Sequence, residues 1–446
     1  MNTKLLILFF LLLSVLAQAQ TKSTDSSENW SYHFQLTTIA QGYYSFKAAY
    51  SGNNSLNDTG QHAISVTSTL FLGRRLWKGA AFYFDPELSG GAGVSQTLGV
   101  AGFPNGETFR IGSAEPVIYV GRAYLQQQIA LGGATYKHID GDENQLEGSA
   151  PDRSLTIIAG KFDMADFFDN NAYAHDPRSQ FMNWALMNNG AWDYPANTRG
   201  YTEGLVLQYD APEWAIRAAE ALEPEQANHS AMETNLSEYH SETLEVEKKV
   251  AIKKLTGSWR LLFYHNVSGA PSYQTAINEM KKGDSTLLPI IEGLAPGTTT
   301  TGTKNGVCLS ADQQLSSTIG LFLRAGWNDG LTATWAFTEI DNTAELGATI
   351  KGNCWKRPND LIGIAGVSNG ISDEHRDYLN AGGYGFLIGD GKLTNYGRED
   401  IIEAYYYAQL TASLWLTFDY QLVVNPAYNA DRGPVNLFAL RGHIQF

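Results

Sequence analysis

Residues 163–199, DMADFFDNNAYAHDPRSQFMNWALMNNGAWDYPANTR, gather carboxylates, amides, arginines and aromatic rings into one segment. Asp163, Asp166, Asp176 and Asp193 can accept hydrogen bonds, Arg178 and Arg199 can donate them, Asn183 can do both, and Trp192 offers a flat apolar face. That mixture suits reversible contact with a small polar solute. The nearest approach to a reacting pair is His175-Asp176, a base beside a carboxylate, as a hydrolase would need. Adjacent residues rarely share one site geometry, and Asp176 reads better as a cap. No cluster has metal-ligand spacing, and Gly391-Lys392-Leu393 lacks the hydroxyl residue that a phosphate loop places after its Lys. Neither a metal nor a cofactor is expected.

Asp176 can cap a helix that opens on Pro177, because a capping carboxylate accepts free amides and proline has none to satisfy. The helix should run to about Met187 and stop at Asn188-Asn189-Gly190, where amide residues and glycine tolerate a left-handed turn. Phe181, Trp184, Ala185 and Met187 would hold it against a wall. Arg178 and Arg199 suit ion pairs that pin the loop as well as contacts to solute. A loop this long and apolar needs a place to be buried.

The elements around it supply one. Phe438, Leu440, Gly442, Ile444 and Phe446 alternate with Ala439, Arg441, His443 and Gln445, so this segment has one apolar and one polar face. Trp30 to Thr37, Ile319 to Trp327 and Leu414 to Leu422 repeat the pattern. About 16 such segments occur, near 30–44, 60–73, 78–90, 117–131, 154–162, 200–210, 213–222, 243–253, 256–267, 303–315, 318–327, 342–351, 360–369, 398–410, 413–424 and 434–446. Their connections alternate between tight turns and long loops, the long ones near 91–116, 163–199, 223–242, 268–302 and 370–397. The expected fold is an all-β transmembrane antiparallel barrel with both termini at the periplasmic end and 163–199 folded inward as a constriction. Two stretches strain the count. Residues 132–153 are long for a periplasmic turn, and 331–341 also alternate, which leaves a count of about 18 strands open.

By the same alternation Arg122, Tyr124, Gln126 and Gln128 share an inward face, and Arg324, Glu403, Tyr405, Tyr407 and Arg441 point inward too. Arg122 and Arg324 are the strongest candidates for the solute path, since a water-filled lumen gives no structural reason for arginine.

Composition agrees. Gly at 44, aromatics at 12% and charged residues at 17%, against a usual value of about 25%, fit a chain that turns often and shows apolar surface. A net charge of −15 argues against nucleic acid as a partner. Lys4 precedes an apolar run from Leu5 to Leu13, and Ala17-Gln18-Ala19 offers a cleavage site before Gln20. Residues 1–19 are therefore expected to be an export signal and 20–446 the barrel, in the outer membrane. Cys308 falls in a strand and Cys354 in a turn at the periplasmic end, next to non-adjacent strands, and the two are expected to stay unpaired.

Beyond these patterns, the run NNAYAHDPRSQFMNWALMNNGAWDYPANTRGY at 170–201 resembles the signature stretch of the carbohydrate-selective porin family (OprB-type). FDPELSGGAG at 84–93, VGRAYLQQQ at 120–128, GFLIGDGKLTNYGREDIIEAYY at 385–406 and NPAYNADRGPVNLFALRGHIQF at 425–446 are similar to it as well. The resemblance implies a 16-stranded outer-membrane barrel, passive diffusion of small carbohydrates, and an inserted loop forming a narrow eyelet with charged residues. Which sugar passes does not carry over. Outer-membrane lipid is the expected surrounding; most porins of this strand number form trimers, which leaves a homotrimer open, but the sequence carries almost no signal for oligomeric state. The rivals are a general or anion-preferring porin, a barrel-borne hydrolase, and a barrel with no through-path.

Overall fold

The computed structural model describes residues 28–110 and 113–446. The expected export signal, residues 1–19, lies outside the described residues. Eighteen strands follow one another: β1 (Trp30–Tyr43), β2 (Gln61–Trp77), β3 (Ala80–Gly91), β4 (Val117–Ala130), β5 (Tyr136–Ile139), β6 (Gly148–Pro151), β7 (Ser154–Phe162), β8 (Thr202–Asp210), β9 (Trp214–Ala221), β10 (His240–Ile252), β11 (Leu255–Ser268), β12 (Gly302–Gln314), β13 (Ile319–Asn328), β14 (Asn342–Gly352), β15 (Arg357–Gly370), β16 (Glu399–Thr411), β17 (Leu414–Val424) and β18 (Val435–Gln445). All but β5 and β6 close into one antiparallel barrel of 16 strands, each paired with its sequence neighbours. The barrel seals where β1 meets β18. There Phe34 and Phe446 exchange backbone hydrogen bonds at 2.8 and 3.1 Å, and their rings lie 5.3 Å apart.

The period of two sorts each strand into a lipid face and a lumen face. On β11, Trp259, Leu261 and Phe263 are 39–50% exposed, whereas Arg260, Leu262 and Tyr264 between them are at most 7% exposed. Outward aromatics collect at both rims: Trp30, Trp77 and Trp214 near the short turns, Tyr44, Trp327 and Phe438 near the long loops. Such belts place amphipathic rings at the two lipid–water boundaries.

The apolar core lies inside the barrel. Phe103, Phe168, Phe181, Trp184, Leu186 and Trp192 from the loops pack against Tyr83, Tyr124, Ile158, Leu262, Phe322 and Tyr405 from the wall. Among the described residues four short helices stand in the loops: α1 (Trp184–Met187), α2 (Tyr273–Lys281), α3 (Leu288–Ile291) and α4 (Asp373–Asn380).

Both strained stretches resolve in favour of the lower count. Residues 331–341 form no strand; Trp335, Phe337 and Glu339 are buried inside the barrel, where loop contacts satisfy their backbone. Residues 132–153 contain β5 and β6, a two-stranded hairpin separate from the barrel sheet. Both cysteines are free, Cys308 buried on β12 and Cys354 exposed in the turn after β14. A maleimide should therefore label the native protein once, at Cys354, and reach Cys308 only after denaturation. Two equivalents labelled under native conditions would contradict the packing of β12 against the inserted loops.

Candidate functional site

Residues 163–199 enter the lumen and are held there by wall side chains that spend their polar groups on loop backbone. Glu403 on β16 accepts the amides of Met182 and Asn183 at 2.6 and 2.9 Å. Arg441 on β18 donates to the carbonyls of Pro177 and Gln180 at 2.5 and 2.9 Å. Arg324 on β13 donates to Asp169 at 2.8 Å and to the carbonyls of Ala174 and Leu186 at 2.5 and 2.9 Å, and also meets Glu345 on β14 at 3.1 Å. Inward glycines leave room: a Cβ on Gly320 would meet the Tyr173 ring, and one on Gly326 the Asn189 amide. In an interior without bulk water each backbone group needs such a partner.

These contacts give several of the candidate residues a structural role. Arg324, Glu403 and Arg441 are at most 1% exposed and spend their polar groups on the inserted loop, which they anchor. The premise that a lumen needs no structural arginine fails because the inserted loops bring backbone carbonyls that these guanidinium groups satisfy. Trp192 is wholly buried, and Asp193 is spent on the amides of Trp335, Ala336 and Phe337 at 2.9–3.0 Å and on Lys304 at 3.3 Å. Tyr124 packs on Tyr83, and Gln126 stays half-buried on the lumen face. The helix expected from Pro177 is only the turn α1. Asp176 does cap, accepting from the Arg178 amide and Ser179 Oγ, but Phe181 and Met182 then extend so that Glu403 can take two amides, and Asn183 caps the helix instead. Asp176 and His175 share no side-chain hydrogen bond; both backbone amides go to Gln180.

The remaining candidates converge. Arg122 on β4 forks onto Asp166 with two bonds of 2.6 Å and lies 3.6 Å from Asp85. Arg178 reaches Glu107 at 3.1 Å and Glu87 at 3.4 Å. Arg110 meets Asp163 at 3.2 Å and lies 3.8 Å from both Glu87 and Glu107. Arg199 donates to Ser89 and to the Arg110 carbonyl, and its guanidinium sits 4.1 Å over the Tyr119 ring. One network thus joins two wall strands to two inserted loops.

Beside it, toward the long-loop end, Phe109, Trp184, Tyr194, Phe337 and Phe386 line a cleft with Asn197 and Asn228. The Arg110 guanidinium stacks 4.6 Å over the Phe109 ring, so cleft and charges adjoin. A family model described as carbohydrate-selective porin, OprB family, matches residues 53–446. The chain belongs to that family.

Pseudomonas putida OprB in its high-pH structure is similar to this porin over 96% of this chain and 100% of that one, with TM-score 0.69 and 16% identity. The outer membrane channel DcaP of Acinetobacter baumannii is similar over 95% and 99%, with TM-score 0.51 and 10% identity. At those identities the likeness is one of fold. A comparison with curated proteins finds no match.

Four charged members of the porin's network lie outside the candidates that alternation and loop composition offer: Asp85, Glu87, Glu107 and Arg110, with Tyr119 and Tyr201 bonded to Glu87. Asp85 and Glu87 sit two apart on one strand face, a signal that was available. Glu107 and Arg110 belong to a second inserted loop, whose Ala101 and Gly102 amides are taken by Glu399 on β16 and whose Pro104 carbonyl accepts from Gln41 and Gln421.

Glu339 does the same service in a third loop, accepting the amides of Leu387 and Ile388 at 2.8 and 3.0 Å. Burial raises its carboxyl to about 7, against the opposing pull of His375 and those amides. A carboxyl raised in the folded state contributes stability that is complete below its unfolded value and is lost as the pH climbs through about 7. Urea midpoints should therefore fall between about pH 4.5 and pH 7, and Glu339→Gln should flatten that fall. Equal pH dependence in the two proteins would refute the assignment.

Proposed function

We propose that this outer-membrane porin passes small neutral sugars by passive diffusion, and that Glu87, Glu107, Arg110, Arg122, Asp166, Arg178 and Arg199 form its selective constriction. The observation that carries the reading is the adjacency of an aromatic cleft to a network of alternating guanidinium and carboxylate groups. A sugar ring has apolar faces that stack on aromatic side chains and a rim of hydroxyls that both donate and accept. Contacts to such a rim are individually weak, so the solute can leave again.

The charge census disfavours the anion-preferring alternative, since five carboxylates (Asp85, Glu87, Glu107, Asp163, Asp166) face four arginines (Arg110, Arg122, Arg178, Arg199). No group in this arrangement is set up to break a bond: Asp176 caps a turn, and burial lowers His175 below the ordinary imidazole range, with nearby Arg324 adding to the effect.

Liposome swelling tests the reading directly. Monosaccharides should enter faster than amino acids of equal size, and added sugar should reduce single-channel current. Equal swelling rates and an unblocked current would leave a general diffusion pore.

A further inference from the structure

Loops enter this barrel from one end, and a hairpin enters it from the other. The connection between β4 and β7 lies on the side of the short turns, where every other connection spans two to four residues. By the rule that outer-membrane barrels keep their short turns inside the cell envelope, this is the periplasmic mouth. Within that connection β5 pairs with β6 from Tyr136↔Pro151 to Ile139↔Gly148. The tip does not hang in water. Asn144 Nδ2 donates to Asp85 Oδ2 at 2.8 Å, and Gln445 Nε2, at the end of β18, donates to Glu143 Oε1 at 3.1 Å. Leu146 is 5% exposed and joins the same apolar cluster as Tyr83 and Tyr124. Arg75 Nη2 donates to the Glu147 carbonyl at 3.1 Å, and Glu28 and Glu147 exchange bonds at 3.0 and 3.1 Å.

Asp85 lies midway along β3 and faces the lumen, so the tip reaches well past the rim. It is also the residue 3.6 Å from Arg122, which grips Asp166. Asn144, Asp85, Arg122 and Asp166 therefore form an unbroken chain from the hairpin to the constriction loop. Residues 140–147, DGDENQLE, bring four carboxylates and no cation to this mouth.

We propose that the Tyr136–Pro151 hairpin is a second constriction element, and that Glu143 and Asn144 at its tip help set the size and charge of the solute that leaves the barrel. This rests on the channel reading but not on selectivity for sugars, because current carried by salt ions reports the bore whatever solute is preferred.

Replacing residues 140–147 by the dipeptide Asn-Gly, which suits the two-residue turn that the Ile139↔Gly148 pair would then need, shortens the hairpin and leaves every barrel strand residue in place. In planar bilayers the shortened channel should conduct at least about twofold more and become less cation-preferring, since ion passage is set at the narrowest charged section. Disaccharides should also enter liposomes faster. Unchanged conductance overturns the proposal. Should the shortened chain fail to fold, Asn144→Cys in a Cys354→Ser background serves instead. A bulky thiol reagent should then reduce its current, and an unaltered current after complete labelling overturns the proposal equally.

Discussion

Arg324→Met should widen the channel: larger single-channel conductance and loss of current block by sugar, in a barrel that still folds. Arg324 is 1% exposed and touches two carboxylates, Asp169 on the inserted loop and Glu345 on the wall, together with loop carbonyls. Methionine fills much of the volume but leaves both acids buried without a cation. Breaking a buried ion pair from one side costs about 3–5 kcal/mol. The strand ladder is closed around the whole circumference and does not depend on that contact, so the cost falls on the loop, which relieves it by leaving the wall. Arg324→Lys should land between the two, because one ammonium cannot span the acids and the carbonyls that a guanidinium fork reaches. Conductance and sugar block unchanged in Arg324→Met would show that the remaining anchors, Glu403 and Arg441, suffice.

Arg110→Gln should have the second-largest effect, and on selection rather than on shape. Arg110 faces Glu87, Glu107 and Asp163 at once, and its loss changes the balance in the charge network from five acids against four arginines to five against three. Hydrogen bonds to charged groups contribute about 1.5–3 kcal/mol each. Sugar affinity, read as the concentration that halves the current, should therefore weaken by about tenfold or more, tenfold being about 1.4 kcal/mol. The reversal potential in a salt gradient should move toward cations. If neither quantity moves, the network is a brace for the two loops and the solute passes elsewhere.

Much of the barrel is legible in the amino-acid sequence. The alternation around Trp259 or Phe438 records a strand with lipid on one side, and that two-residue period survives whatever the loops do. Residues 331–341 show where the same signal misleads. They alternate because they lie between two packed surfaces inside the lumen, and their backbone bonds go to Asp193 rather than to a neighbouring strand. The helix expected from Pro177 fails for a related reason. A capping pattern is local, whereas the two amides that Glu403 claims belong to a strand more than two hundred residues away.

From the chain alone came the barrel, its near-correct strand boundaries, its inward faces and the loop that folds into it, because lipid outside and water at the rims impose a pattern on every strand separately. Tertiary structure alone decided which inward arginines hold loop carbonyls and which sit among carboxylates, that a second loop supplies Glu107 and Arg110, and that Asn144 reaches Asp85. An arginine buried against carbonyls and one set among carboxylates look the same in sequence. What separates them is which distant backbone groups the fold has left in need of a donor.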